Sequence, residues 1–448
     1  MNLLLRKRIL GLIATLALGL GQGRAVATPQ LPEDVFPELK QILAEAANRS
    51  PRMVAQDLNL LIADGDLIQA KSGMLPRLGG YYQKSKTKDI REDVAGTLDS
   101  NKTYYSVSLS QPIFHWGALR NNAKAGEIRR LIADENYGEA YRVLAQEIRA
   151  NYLGLIMLKV GVRVSTFNRK LSEEKLAVEE ERLQKKVISE GAIFQTRIDA
   201  EQARLAVDTA EWYFLNAKQD FALLTGQPQL SDTQIPDGIP GLAEAKNAID
   251  RMLVEFLAQG EPDTARARIL RQQIRIDDLN YKTQKTGLRP KLNLVLGLSQ
   301  DEQSYTTNLA QKYALQSQYA GLQVSWNIFD GFATRGAVKS ALASKRLDER
   351  VYRDFTARLA QDARKASKAV ELAQRQLAIS ERLLDNAGNF LSYTKDDFKR
   401  GQASETAVNN AQANYNSLEN TANAARRDYL LRVSEFLSLI EEDGVSKN

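Results

Sequence analysis

Two stretches of this chain, 118–190 and 333–400, contain no proline and carry apolar residues at helical spacing. In the first, Leu144, Ile148, Leu155, Leu158 and Val162 fall on one stripe; in the second, Val370, Leu377, Leu384 and Leu391 recur in heptads, with charged residues between them. At 1.5 Å rise per residue, a helix over 118–190 is a rod of ~110 Å. No globular core needs an element of that length. Each stripe instead requires a neighbour along the whole rod, in a bundle or a coiled coil.

The two rods are equivalent parts of an internal repeat. SPRM at Ser50–Met53 and EPDT at Glu261–Thr264 each open a helical run, and each run ends in a proline phrase, MLPRLGG around Pro76 and LRPKLNL around Pro290. PIFHWGALR (Pro112–Arg120) then matches NIFDGFATR (Asn327–Arg335), so that Ile113, Phe114 and Arg120 recur as Ile328, Phe329 and Arg335 at a separation of 215 (328 − 113). After each rod comes a glycine followed by Thr, Gln and Ala, at Gly191 and Gly401, here at a separation of 210 (401 − 191). Four markers in one order imply two copies of one unit of about 210 residues. The predicted organisation is a first repeat over 28–224, a linker over 225–244 rich in Pro, Gly and Asp, a second repeat over 245–440 and a tail over 441–448. The first repeat has strands near 78–88 and 104–114, a long helix over 118–190 and a helix over 192–224. The second has strands near 290–300 and 319–329, a long helix over 333–400 and a helix over 402–440.

The strands alternate with period two. Tyr105, Val107 and Leu109 are interleaved with Ser106, Ser108 and Ser110; Leu292, Leu294, Leu296 and Leu298 alternate with Asn293, Val295, Gly297 and Ser299; Leu322, Val324 and Trp326 alternate with Gln323 and Ser325. This is the pattern of a membrane-barrel strand, apolar towards lipid and polar towards a lumen. A soluble antiparallel sheet half-covered by helices produces the same alternation. On the barrel reading, Val107, Leu109, Leu294, Leu296, Leu322, Val324 and Trp326 face lipid. Four strands cannot close, and open edges cannot sit in lipid, so the barrel must be shared: two copies supply eight strands and three supply twelve. Inward glycines and serines favour twelve, which leave a passage.

Composition narrows the alternatives. The chain has no cysteine, which removes disulfides, thiolate metal sites and an acylated N-terminal cysteine, and its single histidine, His115, offers little for a metal site or a nucleophilic triad. No cofactor is expected. The first 27 residues, with Arg6, Lys7 and Arg8 before a short apolar run and Ala25-Val26-Ala27 after it, read as a signal peptide. Its removal takes away four positive charges and lowers the formal charge from +6 to +2, so nucleic-acid binding loses its support. No later segment is a transmembrane helix.

The order of parts, the phrases Phe114–Arg120 and Phe329–Arg335, and the glycine, Thr, Gln and Ala after each rod resemble the TolC-like outer-membrane efflux family over the whole mature chain. The resemblance implies an α+β membrane protein of two structural repeats, in which a long α-helical barrel of coiled-coil type runs into a trimeric 12-stranded β-barrel, four strands per chain. It implies a passive exit duct of a tripartite efflux or type I secretion system, with no enzyme activity, set in outer-membrane lipid and extending into the periplasm. Its partners would be itself, as a homotrimer, a periplasmic adaptor protein and an inner-membrane pump. Adaptor docking would fall on the hairpin tips, Glu190, Gly191, Arg400 and Gly401. The family's aperture aspartates correspond here to Arg197, Ala407 and Asn410, so the candidate aperture residues are Arg197, Asp199, Glu405 and Asn410, with an arginine–carboxylate network in place of an acidic ring. Phe114, Gly117, Arg120, Phe329, Gly331 and Arg335 would set the strand-to-helix junctions. The alternative is a structural or adhesive helical-rod envelope protein without transport activity. Efflux and protein secretion are not separable, because the pump chooses the cargo.

Overall fold

The computed structural model describes residues 29–90, 97–243, 246–305 and 312–444. The signal peptide expected over 1–27 lies outside the described residues. The chain runs α1 (Pro32–Val35), α2 (Pro37–Arg49), α3 (Pro51–Ser72), β1 (Arg77–Ile90), β2 (Thr97–Phe114), α4 (Ala118–Gln184) and α5 (Glu190–Thr225). The second half runs α6 (Lys246–Ala258), α7 (Ala265–Gln284), β3 (Lys291–Tyr305), β4 (Lys312–Ser325), α8 (Ala333–Lys399) and α9 (Glu405–Leu439). The rods α4 and α8 have 67 residues each, ~100 Å at 1.5 Å per residue.

The strands form one antiparallel sheet in the order β1-β2-β3-β4, with β2 and β3 joining the two repeats. Helices beneath it follow the same order: α3 packs on α4, α4 on α7, and α7 on α8. The cause is chain connectivity. Each of these helices joins its strand through a short link, such as 73–76 or 115–117, and so must lie under it. At the far end α4 doubles back into α5 and α8 into α9, while α9 also leans on α4.

Two core clusters form, one centred on each repeat, with Leu430 of α9 reaching into the first. Leu144, Ile148, Tyr152 and Leu155 of α4 pack with Leu39 of α2 and Phe221 of α5; Val370 and Leu377 of α8 pack with Tyr429, Val433 and Phe436 of α9. The heptad stripe on α8 is buried at Val370, Leu377 and Leu391. The segment between the repeats is strapped to the helices: Ile235 and Ile239 are buried, Lys159 donates to the carbonyls of Asp232 and Ile235, and Asn423 accepts from the Ile239 amide.

Backbone geometry corrects the repeat register. Among the described residues, eight of the ten left-handed ones fall in pairs 215 apart: Trp116 and Gly331, Gly117 and Phe332, Lys186 and Gly401, Gly226 and Glu441. The residue in the first hairpin that corresponds to Gly401 is therefore Lys186 (φ 58°), not Gly191. The expected helix over 118–190 ends at Gln184, and Glu190 and Gly191 are the first two residues of α5 rather than its terminator. The second tip differs less: Arg400 caps α8, Gly401 (φ 75°) makes the turn, and α9 starts at Glu405 instead of 402. The reason is that Ser189-Glu190 and Ser404-Glu405 are the true matching helix starts. Both serines are extended N-caps with nearly identical angles, and a serine before a glutamate opens a helix as well as glycine ends one.

Candidate functional site

Partners directly opposite in an antiparallel ladder project to the same side of the sheet. On one side stand the rows Leu78–Leu109–Leu296–Ala320, Gly80–Val107–Leu298–Gln318 and Gln111–Leu294–Leu322. On the other stand Gly79–Ser108–Gly297–Tyr319 and Ser106–Ser299–Ser317. The expected lipid-facing residues Val107, Leu109, Leu294, Leu296, Leu322 and Val324 thus share one face. It is bare in the single chain: Leu78, Leu322 and Val324 are 73%, 66% and 63% exposed. Trp326 lies one residue beyond β4, and its indole donates to the Leu288 carbonyl at 2.9 Å, so it belongs to the sheet's lower rim. On the polar face Tyr319 lies over Gly297, where an added Cβ would come within 2.5 Å of the ring. A glycine was needed there for the tyrosine to fit.

The junctions turn the chain from strand to helix through two consecutive left-handed residues, Trp116-Gly117 in one repeat and Gly331-Phe332 in the other. Phe114 packs edge-on against Trp116, and Phe329 against Phe332. Trp116 donates to the Pro290 carbonyl at 2.7 Å and carries Arg289 over its ring. Asp330 accepts from the Thr334 amide and hydroxyl at 2.9 and 2.6 Å, and these bonds hold its carboxyl below the usual range. Arg120 and Arg335, expected to fix these junctions, are exposed on the first turns of α4 and α8, and neither has a hydrogen-bonded or ionic partner among the described residues. Within the chain, the hydrogen bonds at the junctions are made by the Trp116 indole and the Asp330 carboxylate. His115 meets Asn293 at 2.9 Å.

At the hairpin ends, Arg197 and Asp199 lie on α5, and Glu405 and Asn410 on α9. Arg197 approaches Glu180 of α4 at 3.9 Å, and Asp199 accepts from Gln195 at 2.7 Å. Close by, Arg204 pairs with Glu173 and Glu201 at 2.9 and 2.7 Å. Glu405 and Asn410 are exposed. Within one protomer α5 packs on α4, and α9 on α8 and α4, so the fold does not bring Arg197 and Asp199 against Glu405 and Asn410. The 215 register also pairs Arg197 with Gln412 rather than with Ala407, which removes its equivalence to the second hairpin's first aperture position.

Two groupings escaped sequence reasoning. Arg149, fully buried, is held by Glu33 and Ser434 with Asp443 beside it. Asp277 of α7 is largely buried against Asp348 of α8, and that burial, reinforced by Asp348, pushes its carboxyl up to about 6. Nothing local signals either grouping.

A sheet with one bare apolar face, continuous with rods of ~100 Å, is the architecture of a membrane-barrel segment carried on long helices. The outer membrane efflux protein family is matched over residues 42–227 and 258–439, one segment per repeat, and the chain belongs to that family. Its fold is that of the CmeC outer membrane channel of Campylobacter jejuni, at 14% identity and TM-score 0.72 over 98% of this chain and 95% of that one. The outer membrane protein VceC of Vibrio cholerae is similar at 15% identity and TM-score 0.66, over 92% and 98% of the two chains. The open state of the MtrE outer membrane channel of Neisseria gonorrhoeae follows at 13% and 0.65, over 91% and 89%. No curated protein is matched by sequence. The chain is thus an outer membrane efflux protein by family, with the fold of outer membrane channels.

Proposed function

We propose that three copies of this chain close into one 12-stranded barrel and one helical tunnel, forming a passive exit duct of a tripartite efflux or type I secretion system. The observation that carries this reading is the unclosed sheet. Among the described residues its two edge strands, β1 and β4, each have one side without a ladder partner, while its apolar face is bare. In lipid such edges must be paired, and only another copy offers a complementary edge. Four strands per chain reach the observed range of barrels with two or three copies. The glycine and serine face suits a passage, which eight strands would not leave open.

On this reading the hairpin turns at 185–189 and 400–404 point away from the membrane and receive a periplasmic adaptor, which links the duct to an energised inner-membrane pump. Glu190 and Gly191 follow the first turn, and Arg400 and Gly401 lie in the second. Arg197 and Asp199 of α5, Glu405 at the start of α9 and Asn410 one to two turns further on would meet across protomers rather than within one. The test is native mass spectrometry of the full chain extracted from outer membranes. Detergent-dependent extraction and a trimer mass are expected. A monodisperse monomer that stays in solution without detergent would overturn both barrel and duct.

A further inference from the structure

The apolar face of the sheet does not stop at its last aliphatic row. Tyr82 and Tyr105 are direct partners on that face, and the next residues of β1 on the same side are Lys84, Lys86 and Lys88, opposite Thr103, Asn101 and Asp99. All three lysines are exposed, and no described carboxylate lies in ion-pair range of them. The other lysines at this end are already engaged: Lys102, on the polar face, pairs with Asp301 at 3.0 Å, and Lys312 with Glu302 at 2.5 Å.

Height along the strand places the three cations. From Phe114 to Tyr105 the strand climbs ~30 Å, or ~23 Å at a barrel tilt near 40°, close to the ~25 Å apolar band of such barrels. Trp116 and Trp326 mark the rim beside the helices, and Tyr82 with Tyr105 mark the opposite rim, as interfacial aromatics do. The lysines begin one step above the upper tyrosines and rise by roughly 5 Å each along the barrel axis. The helices lie on the periplasmic side, so this rim is that of the outer leaflet.

We infer that Lys84, Lys86 and Lys88 form a docking surface for the phosphate groups of the phosphorylated glycolipid of the outer leaflet, whose acyl chains lie along Leu78, Val107 and Leu109 beneath. This rests on the barrel reading above. Ammonium groups are point-charge phosphate binders, and three of them on one face, continuous with an apolar surface, suit a ligand that is both anionic and acylated. A soluble anion would gain nothing from the leucines.

Native mass spectrometry of the full chain, incubated with bisphosphorylated lipid A or with phosphatidylglycerol, tests this and reads the oligomer at the same time. Wild-type trimer should retain lipid A in preference to phosphatidylglycerol. The K84Q/K86Q/K88Q variant should remain trimeric and retain lipid A roughly tenfold less or worse, whereas K102Q should retain it as wild type does. Undiminished lipid A on the triple variant, equal retention of phosphatidylglycerol, or an equal loss in K102Q would overturn the assignment. A monomeric wild type would instead refute the barrel reading, and this surface would fall with it.

Discussion

Arg149 sits on α4 with no exposure, its guanidinium donating to Glu33 at 2.9 Å and to Ser434 at 3.2 Å, with Asp443 at 3.9 Å. Removing one partner of a buried ion pair leaves the other charge uncompensated, which costs ~3–5 kcal/mol. Arg149→Ala is therefore expected to lower the midpoint of denaturant unfolding by that equivalent, and a loss below ~1 kcal/mol, the scale of an exposed pair, would refute the buried network. Asp277 behaves in the opposite sense to a salt-bridged acid. Its carboxyl is raised to about 6 from an ordinary 3.8 by burial and then by Asp348. The stability it contributes is fully present below about pH 4 and is lost as pH rises through about 6. Gln273, Asp278 and Lys345 flank the pair. Thermal stability should thus gain from lowering the pH from 7 to 5, and Asp277→Asn should remove that gain; parallel profiles for the two proteins would show that the seam does not titrate.

At the scale of the element, the sheet's two faces predict opposite responses to one substitution. Arginine at Leu296 or Leu322 should reduce assembly in the outer membrane by ~2–4 kcal/mol near the midplane, while arginine at Ser108 should assemble and alter conductance. Equal damage from both would mean that the faces are misassigned. Gly297 is unsuitable as the polar-face control because Tyr319 covers it. The hairpin α4–α5 carries the second prediction. The Arg197–Glu180 approach of 3.9 Å joins two half-exposed groups, so by itself it contributes little. If contacts between protomers at this level hold the mouth closed, Arg197→Ala should raise resting conductance in planar bilayers, and added salt should reproduce part of the rise by screening. Unchanged conductance and salt dependence would move the closure into the helix packing itself.

Across the whole molecule, the C-terminal end ties the two repeats together. Glu441 accepts from Arg142 of α4 at 3.0 Å and from Arg268 of α7 at 3.4 Å, and also from the Ala265 amide, while Arg268 reaches Glu135 of α4 at 3.0 Å. Truncation after Ile440 should loosen the start of α7 from α4 without disturbing the sheet. Limited proteolysis should then cut between 259 and 264 sooner than in the full chain, and equal cleavage rates would place the tie elsewhere.

Much of this architecture was readable in the residues alone, because it depends on periods that the backbone imposes. A repeat of 3.6 in Leu144, Ile148 and Leu155 specifies a rod, and a repeat of two in Val107 and Leu109 or Leu294 and Leu296 specifies a ribbon with one apolar face. Doubling of the junction phrases specified two equivalent units. Which segments meet is another matter, since a period carries no address. The order β1-β2-β3-β4, the strap over 226–243, and the meeting of Glu33 with Arg149 and of Asp277 with Asp348 were decided only when distant parts packed. So was the first hairpin turn, where Lys186 takes the left-handed conformation that Gly401 takes in the second: a lysine carries no conformational signature, and the geometry of two closing helices selects it.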